Sequence, residues 1–397
     1  MRNEKIKILF IFTITILLLY LLYYSKYLFE IVPPIIANGR VFLFGDWTAI
    51  VSAIKCDNLG INVFFENPCD PLKRIHVYGS VFLFLPTITK FKLFFFLIFP
   101  IIFILIFIIA VLFLLRPFNL YSTTIYFLSI FNPSTLLLFE RFNFDLIIFL
   151  GMLLIIFINN KIFKFLTLVL LFSMKFWSII LAAIFLFFQK NKFNQSLIYI
   201  FFALILFSGL IYLEYDNLSL INKSSSQITA SKYFIFGIGA FEQIAGKYLD
   251  FISVHPVAST YSILIVIFIF FFSIEKNNLN INYSRFDEKN FQLLILSSLV
   301  LTIMYFLFDN VYYREVFLIG CIPFFLKLTD KKYYRFLIYL IIFKYITLIF
   351  ARVIFKELDN DILYIVKSLV DMILISNLMI IILYFFYNFY KKFFQLI

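Results

Sequence analysis

Three short stretches hold most of the residues in this chain that could do chemistry. The first contains Gly45-Asp46-Trp47-Thr48, then Asn67-Pro68-Cys69-Asp70-Pro71, then Arg74-Ile75-His76-Val77-Tyr78. The second is Glu140-Arg141-Phe142-Asn143-Phe144-Asp145, and the third is Asp309-Asn310-Val311-Tyr312-Tyr313-Arg314. Lys175 stands alone in an apolar run. A carboxylate within about 2.6–3.2 Å of a hydroxyl can take its proton. Lys and Arg can hold an anion, one as a point charge and the other as a planar fork. Each residue also has a plainer use. Asp46 could cap a helix starting at Trp47. Glu140, Arg141 and Asp145 could be an ion-pair cluster between neighbouring helices. Arg314 could pair with Glu315 or Asp309. The two histidines, His76 and His255, could make ordinary loop hydrogen bonds. Neither has metal-ligand spacing and no Cys/His cluster is present, so no metal or other cofactor is expected.

The elements that must position these groups are membrane helices. Of 397 residues 63% are hydrophobic and 14% charged, with a mean hydropathy of +1.01. A soluble domain has about half apolar and a quarter charged residues. Apolar runs recur along the whole chain, so one oversized core cannot account for the excess. The net charge of +12 does not point to nucleic acid. The Lys and Arg residues sit in short clusters at the ends of apolar runs, as positive-inside topology requires. The first run is too long for a cleavable leader and lacks a small-residue cleavage site, so it is expected to be retained.

Spans are expected near residues 8–29, 93–115, 119–138, 143–158, 195–213, 257–274, 291–308, 315–328, 334–352 and 362–388. The stretch from Lys161 to Lys192 differs, because Lys161 and Lys164 flank one end and Lys190 and Lys192 the other. One straight helix would put a basic cluster on the wrong side. Two short helices, 161–174 and 175–189, return both clusters to the cytoplasm and leave Lys175 at the break. A single tilted helix with Lys175 snorkelling is the alternative. Counted this way there are twelve segments in a single integral membrane domain, all-α, with both termini cytoplasmic. Two large loops, 30–92 and 214–256, then lie outside. Cys56 and Cys69 share the first of them and Cys321 lies in a span. In an oxidising compartment the first two could form a disulfide; two buried free thiols is the other possibility.

An acidic residue soon after the first span, an Asn-Pro-x-Asp-Pro stretch followed by Tyr, and a Pro at Leu85-Pro86 resemble the first loop of GT-C membrane glycosyltransferases. The chain is most similar to the family-87 branch, which includes polyprenyl-phosphomannose-dependent mannosyltransferases. Asp46 falls on that loop's Asp. Glu140-Arg141-Phe142-Asn143-Phe144-Asp145 resembles its E-R-G-N-x-D element, with Phe142 in place of Gly. Lys175-Phe176-Trp177-Ser178 resembles a K-x-Y-P element in which Trp and Ser replace Tyr and Pro. Tyr313-Arg314 with Pro323 resembles a late Y-R…P element.

The resemblance implies transfer of a hexose such as mannose from a polyprenyl phosphate to an acceptor hydroxyl of a lipid or glycan. The reaction would take place on the extracytoplasmic face of the cell membrane. It implies Asp46 as general base and Lys175 and Arg314 as cations for the leaving phosphate. Glu140, Arg141, Asn143, Asp145, His76 and Tyr78 form a polar cluster that is either substrate-binding or structural. A transporter or lipid flippase for a glycolipid intermediate is the alternative. It would place charges near the middle of several spans, and few stand there beyond Lys175 and Lys344. A non-catalytic assembly protein would have no reason to gather Asp46, Lys175 and Arg314 on one face.

Overall fold

The computed structural model describes residues 2–24, 35–37, 40–84, 94–187, 193–225, 235–236, 256–275, 288–307, 310–350 and 361–394. His255, Asp309, Leu85-Pro86, Lys190 and Lys192 lie outside these.

The chain is helical, with two short antiparallel ribbons in addition. One joins β1 (Ile35–Ala37) to β2 (Arg40–Phe42), the other β3 (Ile235–Phe236) to β4 (Asn310–Val311). In chain order the helices are α1 (Arg2–Tyr24), α2 (Gly45–Asp57), α3 (Phe99–Leu115, entered through a π turn at Phe94–Ile98), α4 (Leu120–Phe131), α5 (Pro133–Arg141), α6 (Asp145–Phe157) and α7 (Lys161–Met174). After a 3-10 helix at Phe176–Phe187 come α8 (Phe193–Leu213), α9 (Tyr215–Ser225), α10 (Pro256–Glu275) and α11 (Lys289–Leu307). A 3-10 turn at Tyr312–Phe317 leads into α12 (Leu318–Leu326), α13 (Lys332–Ile349) and α14 (Asp361–Phe394).

Among the described residues four helices are long and apolar enough to cross a membrane, within 4–24, 96–115, 289–306 and 362–388, and the broken pair α4–α5 would make a fifth. The other expected spans are helical too among the described residues: α6 and α12 are short, while α8 (Phe193–Leu213), α10 (Pro256–Glu275) and α13 (Lys332–Ile349) run for 21, 20 and 18 residues. The run at 119–138 is not one rod. Pro133 opens α5, where its missing N–H costs nothing, and the Asn132 side chain accepts from the Thr135 amide at 3.0 Å. The long first loop contains a whole helix, α2.

Two compact units divide the chain. The first comprises Met1–Ile31, Val111–Thr135 and Ala230–Ile397; the second comprises Val32–Ala110 and Leu136–Thr229. In the first, α11 packs on α12 and α14, while α14 also meets α10 and α13. A Cβ on Gly320 would come within 2.1 Å of Ser297 Oγ, so small residues set how closely α11 and α12 approach.

In the second unit, α6, α7 and the 3-10 helix at 176–187 pack on one another. α7 begins at Asn160, whose side-chain oxygen accepts from the Ile162 and Phe163 amides, a standard N-cap. It ends at Lys175, which is extended (φ −144°, ψ 114°). The chain then turns back on α7 as a 12-residue 3-10 helix, far longer than such helices usually run. The break therefore falls at Lys175, where the charge pattern puts it.

Candidate functional site

The second unit brings Asp46, Asp70, Arg74, Tyr78, Asn143, Asp145 and Lys175 into one polar network. Its hub is Asn143, which is 2% exposed. The amide nitrogen donates to Asp46 Oδ2 at 2.5 Å, and its oxygen accepts from Lys175 Nζ at 2.8 Å and from the Asp145 amide at 3.0 Å. A carboxylate can only accept and an ammonium can only donate, so these neighbours determine which way the amide faces. Lys175 Nζ also meets Asp145 Oδ1 at 2.6 Å and lies 5.3 Å from the centre of the Tyr78 ring. That contact is a cation–π arrangement.

Local structure explains the meeting. Gly79 passes so close to the end of α7 that a Cβ there would fall 1.8 Å from the Ser173 carbonyl oxygen. Its N–H donates to the Met174 carbonyl at 3.2 Å. Glycine at 79 is what lets Tyr78 lie under Lys175. Asp145 occupies the first turn of α6, where the helix dipole favours a negative charge.

Asp46 lies inside the first turn of α2, which begins at Gly45 rather than at Trp47. It is therefore not the helix cap that the plainer use of Asp46 would make it; Phe44 holds that place, in a left-handed conformation (φ 57°). Phe142 is left-handed as well (φ 45°). This is where the E-R-G-N-x-D pattern carries Gly, and the backbone has the form glycine adopts freely. A non-glycine residue there costs about 1–3 kcal/mol. Burial offsets it: Phe142 is 0% exposed and packs edge-on against Phe44, Trp47, Phe99 and Phe144. Phe44 N–H donates to the Glu140 carbonyl at 2.7 Å, so the two strained phenylalanines join the segments that carry Asp46 and Asn143.

Arg74 supplies what the sequence reading passed over. Its Nε and Nη2 grip both oxygens of buried Asp70 at 3.0 and 2.8 Å, and Nη2 also donates to the Gly45 carbonyl at 2.8 Å. Nη1 stands 3.8 Å from Asp46 Oδ1. Burial works against the charge of Arg74, but the bond to Asp70 and the charges of Asp70 and Asp46 outweigh it and raise its pKa. Asp70 in turn accepts from the Leu72 and Arg74 amides, which closes a tight turn. Cys56, near the end of α2, and Cys69, beside Asp70, form a disulfide. The helix bearing Asp46 is thus tied to the segment 67–74 at both ends.

Charge pairing sorts the carboxylates. Asp70 pairs with Arg74 at 2.8 Å, Asp145 with Lys175 at 2.6 Å and Glu140 with Arg141 at 2.8 Å. All three acid side chains are 0% exposed, whereas that of Asp46 is 19% exposed and its cation lies at 3.8 Å. Of the possible cluster of Glu140, Arg141 and Asp145, Glu140 thus pairs with Arg141 and Asp145 with Lys175. His76 is buried against Phe64, Tyr78 and Phe82, and its Nε2 lies 3.4 Å from the Gly79 carbonyl oxygen. Burial lowers its pKa to about 4, so it is neutral at pH 7.

Arg314 belongs to the other unit, where it donates to Met304 Sδ at 2.9 Å. The carboxylate of its neighbour Glu315 has other partners. Glu315 meets Lys344 at 3.1 Å, Lys367 at 3.2 Å and Ser134 Oγ at 2.8 Å. Asp371 bonds the same two lysines at 2.5 and 2.9 Å. This buried tetrad was not anticipated beyond Lys344. The i,i+4 spacing of Lys367 and Asp371 within an apolar run was the available signal. No group of three or more His, Cys, Asp or Glu suited to a metal occurs among the described residues. Comparison with protein-family models, curated proteins and solved structures finds no match to this chain.

Proposed function

We propose that this chain is a GT-C type glycosyltransferase. In this reading it transfers a hexose from a polyprenyl-phosphate donor to an acceptor hydroxyl at the extracytoplasmic face of a membrane, with Asp46 as general base. The observation that carries the reading is the pairing pattern: of four carboxylates, Asp46 alone is partly exposed and has its nearest cation as far as 3.8 Å away. It is also the acid that the family resemblance selects. Asn143 holds one oxygen of Asp46 in place, and Lys175 and Asp145 hold Asn143. Lys175 then acts mainly through Asn143, because its charge is matched by Asp145. Arg314 keeps the role that the family resemblance gives it, a cation for the leaving phosphate.

The topology that goes with this reading has both termini cytoplasmic and loops 30–92 and 214–256 outside. The test uses polyprenyl-phosphate-[14C]mannose added externally to right-side-out vesicles. Transfer should occur there and should fall on the order of 10²–10⁴-fold in Asp46→Asn with unchanged folding. Equal transfer by a well-folded Asp46→Asn protein would end the assignment and move attention to Glu140 or Asp145.

A second reading, a transporter or flippase for a glycolipid intermediate, draws support from the buried tetrad around Glu315, since ionisable groups within membrane helices commonly line substrate or ion paths. Proteoliposomes that move labelled glycolipid across the bilayer without making a new glycosidic bond would favour it.

A further inference from the structure

From the geometry beside Asp46 we infer that Arg74 and Asp46 together form the receptor for the acceptor hydroxyl. This rests on the reading of Asp46 as the base. Asp46 Oδ2 is occupied by the Asn143 amide, whereas Oδ1 faces Arg74 Nη1 across 3.8 Å. That gap is too long for a direct hydrogen bond. Arg74 spends Nε and Nη2 on Asp70 and the Gly45 carbonyl, while Nη1 makes no hydrogen bond among the described residues. An oxygen about 2.8 Å from both atoms would subtend an angle of about 85°, within what one hydroxyl accommodates while donating to one and accepting from the other. Both side chains are partly exposed, at 27% and 19%, so the gap opens outward.

The class of ligand follows from these two atoms. A hydroxyl is both donor and acceptor and satisfies the pair. A phosphate oxygen satisfies Nη1 but meets repulsion from Asp46, and an ammonium does the reverse. The gap therefore selects the alcohol rather than the donor phosphate. In the transfer step the hydroxyl oxygen bonds to the anomeric carbon and the bond from that carbon to the phosphate oxygen breaks. The proton goes to Asp46 Oδ1, and the electron pair leaves with the lipid phosphate. Arg74 holds the attacking oxygen in line, and Asp70, braced by the 56–69 disulfide, holds Arg74.

The probe is octyl mannoside, a simple membrane-compatible alcohol, and the key variant is Arg74→Lys. Lysine keeps the charge beside Asp70 but has no second terminal nitrogen to place at the Nη1 position. Two readouts are combined. In the first, octyl mannoside should slow carbodiimide labelling of Asp46 in the wild-type protein, followed by mass spectrometry, and this protection should be lost in Arg74→Lys. In the second, with polyprenyl-phosphate-[14C]mannose as donor, the acceptor KM should rise about 10- to 100-fold in the variant while the donor KM stays put. Equal protection in both proteins, or none in the wild type, overturns the inference, as does a donor KM that rises with the acceptor KM. Protection that depends on Arg74 without any sugar transfer leaves the hydroxyl receptor standing and removes the glycosyltransferase reading instead.

Discussion

His76 carries the clearest single-residue consequence. Burial lowers its folded-state pKa from 6.5 to about 4, so between those values the unfolded chain binds the extra proton first. Stability is then full above about pH 6.5 and falls as the pH drops toward 4, by on the order of 3 kcal/mol at most. Unfolding followed in detergent from pH 7 to 4 should show that loss, and His76→Phe should flatten it. An unchanged slope in the variant would place the acid sensitivity elsewhere. At this scale the sequence singled out Asp46, Asn143 and Asp145 through the motifs they sit in, and Lys175 through its place between two basic clusters. It could not show that Arg74 joins them, since nothing local to Arg74-Ile75-His76 says which carboxylate it will meet.

At the scale of elements, α2 is held from both ends. The disulfide ties Cys56 to Cys69 across 13 residues, and Arg74 ties Asp70 to the Gly45 carbonyl. A closed loop of that size contributes about 3 kcal/mol, chiefly by restricting the unfolded chain. Cys56→Ser/Cys69→Ser should therefore lower the melting temperature and, in the proposed mechanism, reduce transfer by loosening the Asp70–Arg74 turn. A variant that melts like the wild type would show that the packing of Val63 and Phe64 against α2 suffices alone. The break at Lys175 was legible because basic residues flank both ends of 161–192. The extended conformation at Lys175 and the 3-10 path beyond it were not, because they depend on where Tyr78, Asn143 and Asp145 wait for the ammonium.

For the molecule as a whole, the tetrad is the most consequential arrangement outside the site. Glu315, Lys344, Lys367 and Asp371 are each 4% exposed or less and their charges cancel. Removing one partner from such a group typically costs about 3–5 kcal/mol, because a charge is left buried and unmatched. Lys344→Met should therefore destabilise strongly, and adding Glu315→Gln should recover much of the loss. If the single variant unfolds like the wild type, the ion pairs are not what holds that unit. A double variant that folds well yet loses glycolipid movement in proteoliposomes would favour the transport reading.

The sequence by itself determined that this chain is built of apolar helices, roughly where most of them begin and end, and the break at Lys175, but not the one between α4 and α5. Those features depend on local hydropathy and on charges at the ends of runs, which act over a few residues. Tertiary structure alone decided the pairing of charges. Asp46 is left with a distant cation because Asp70 takes Arg74, and Lys175 is occupied because Asp145 takes it from 30 positions away. Which acid keeps a close counter-ion is a competition among neighbours in space, and residues as far apart as Ser134 and Glu315 take part in it.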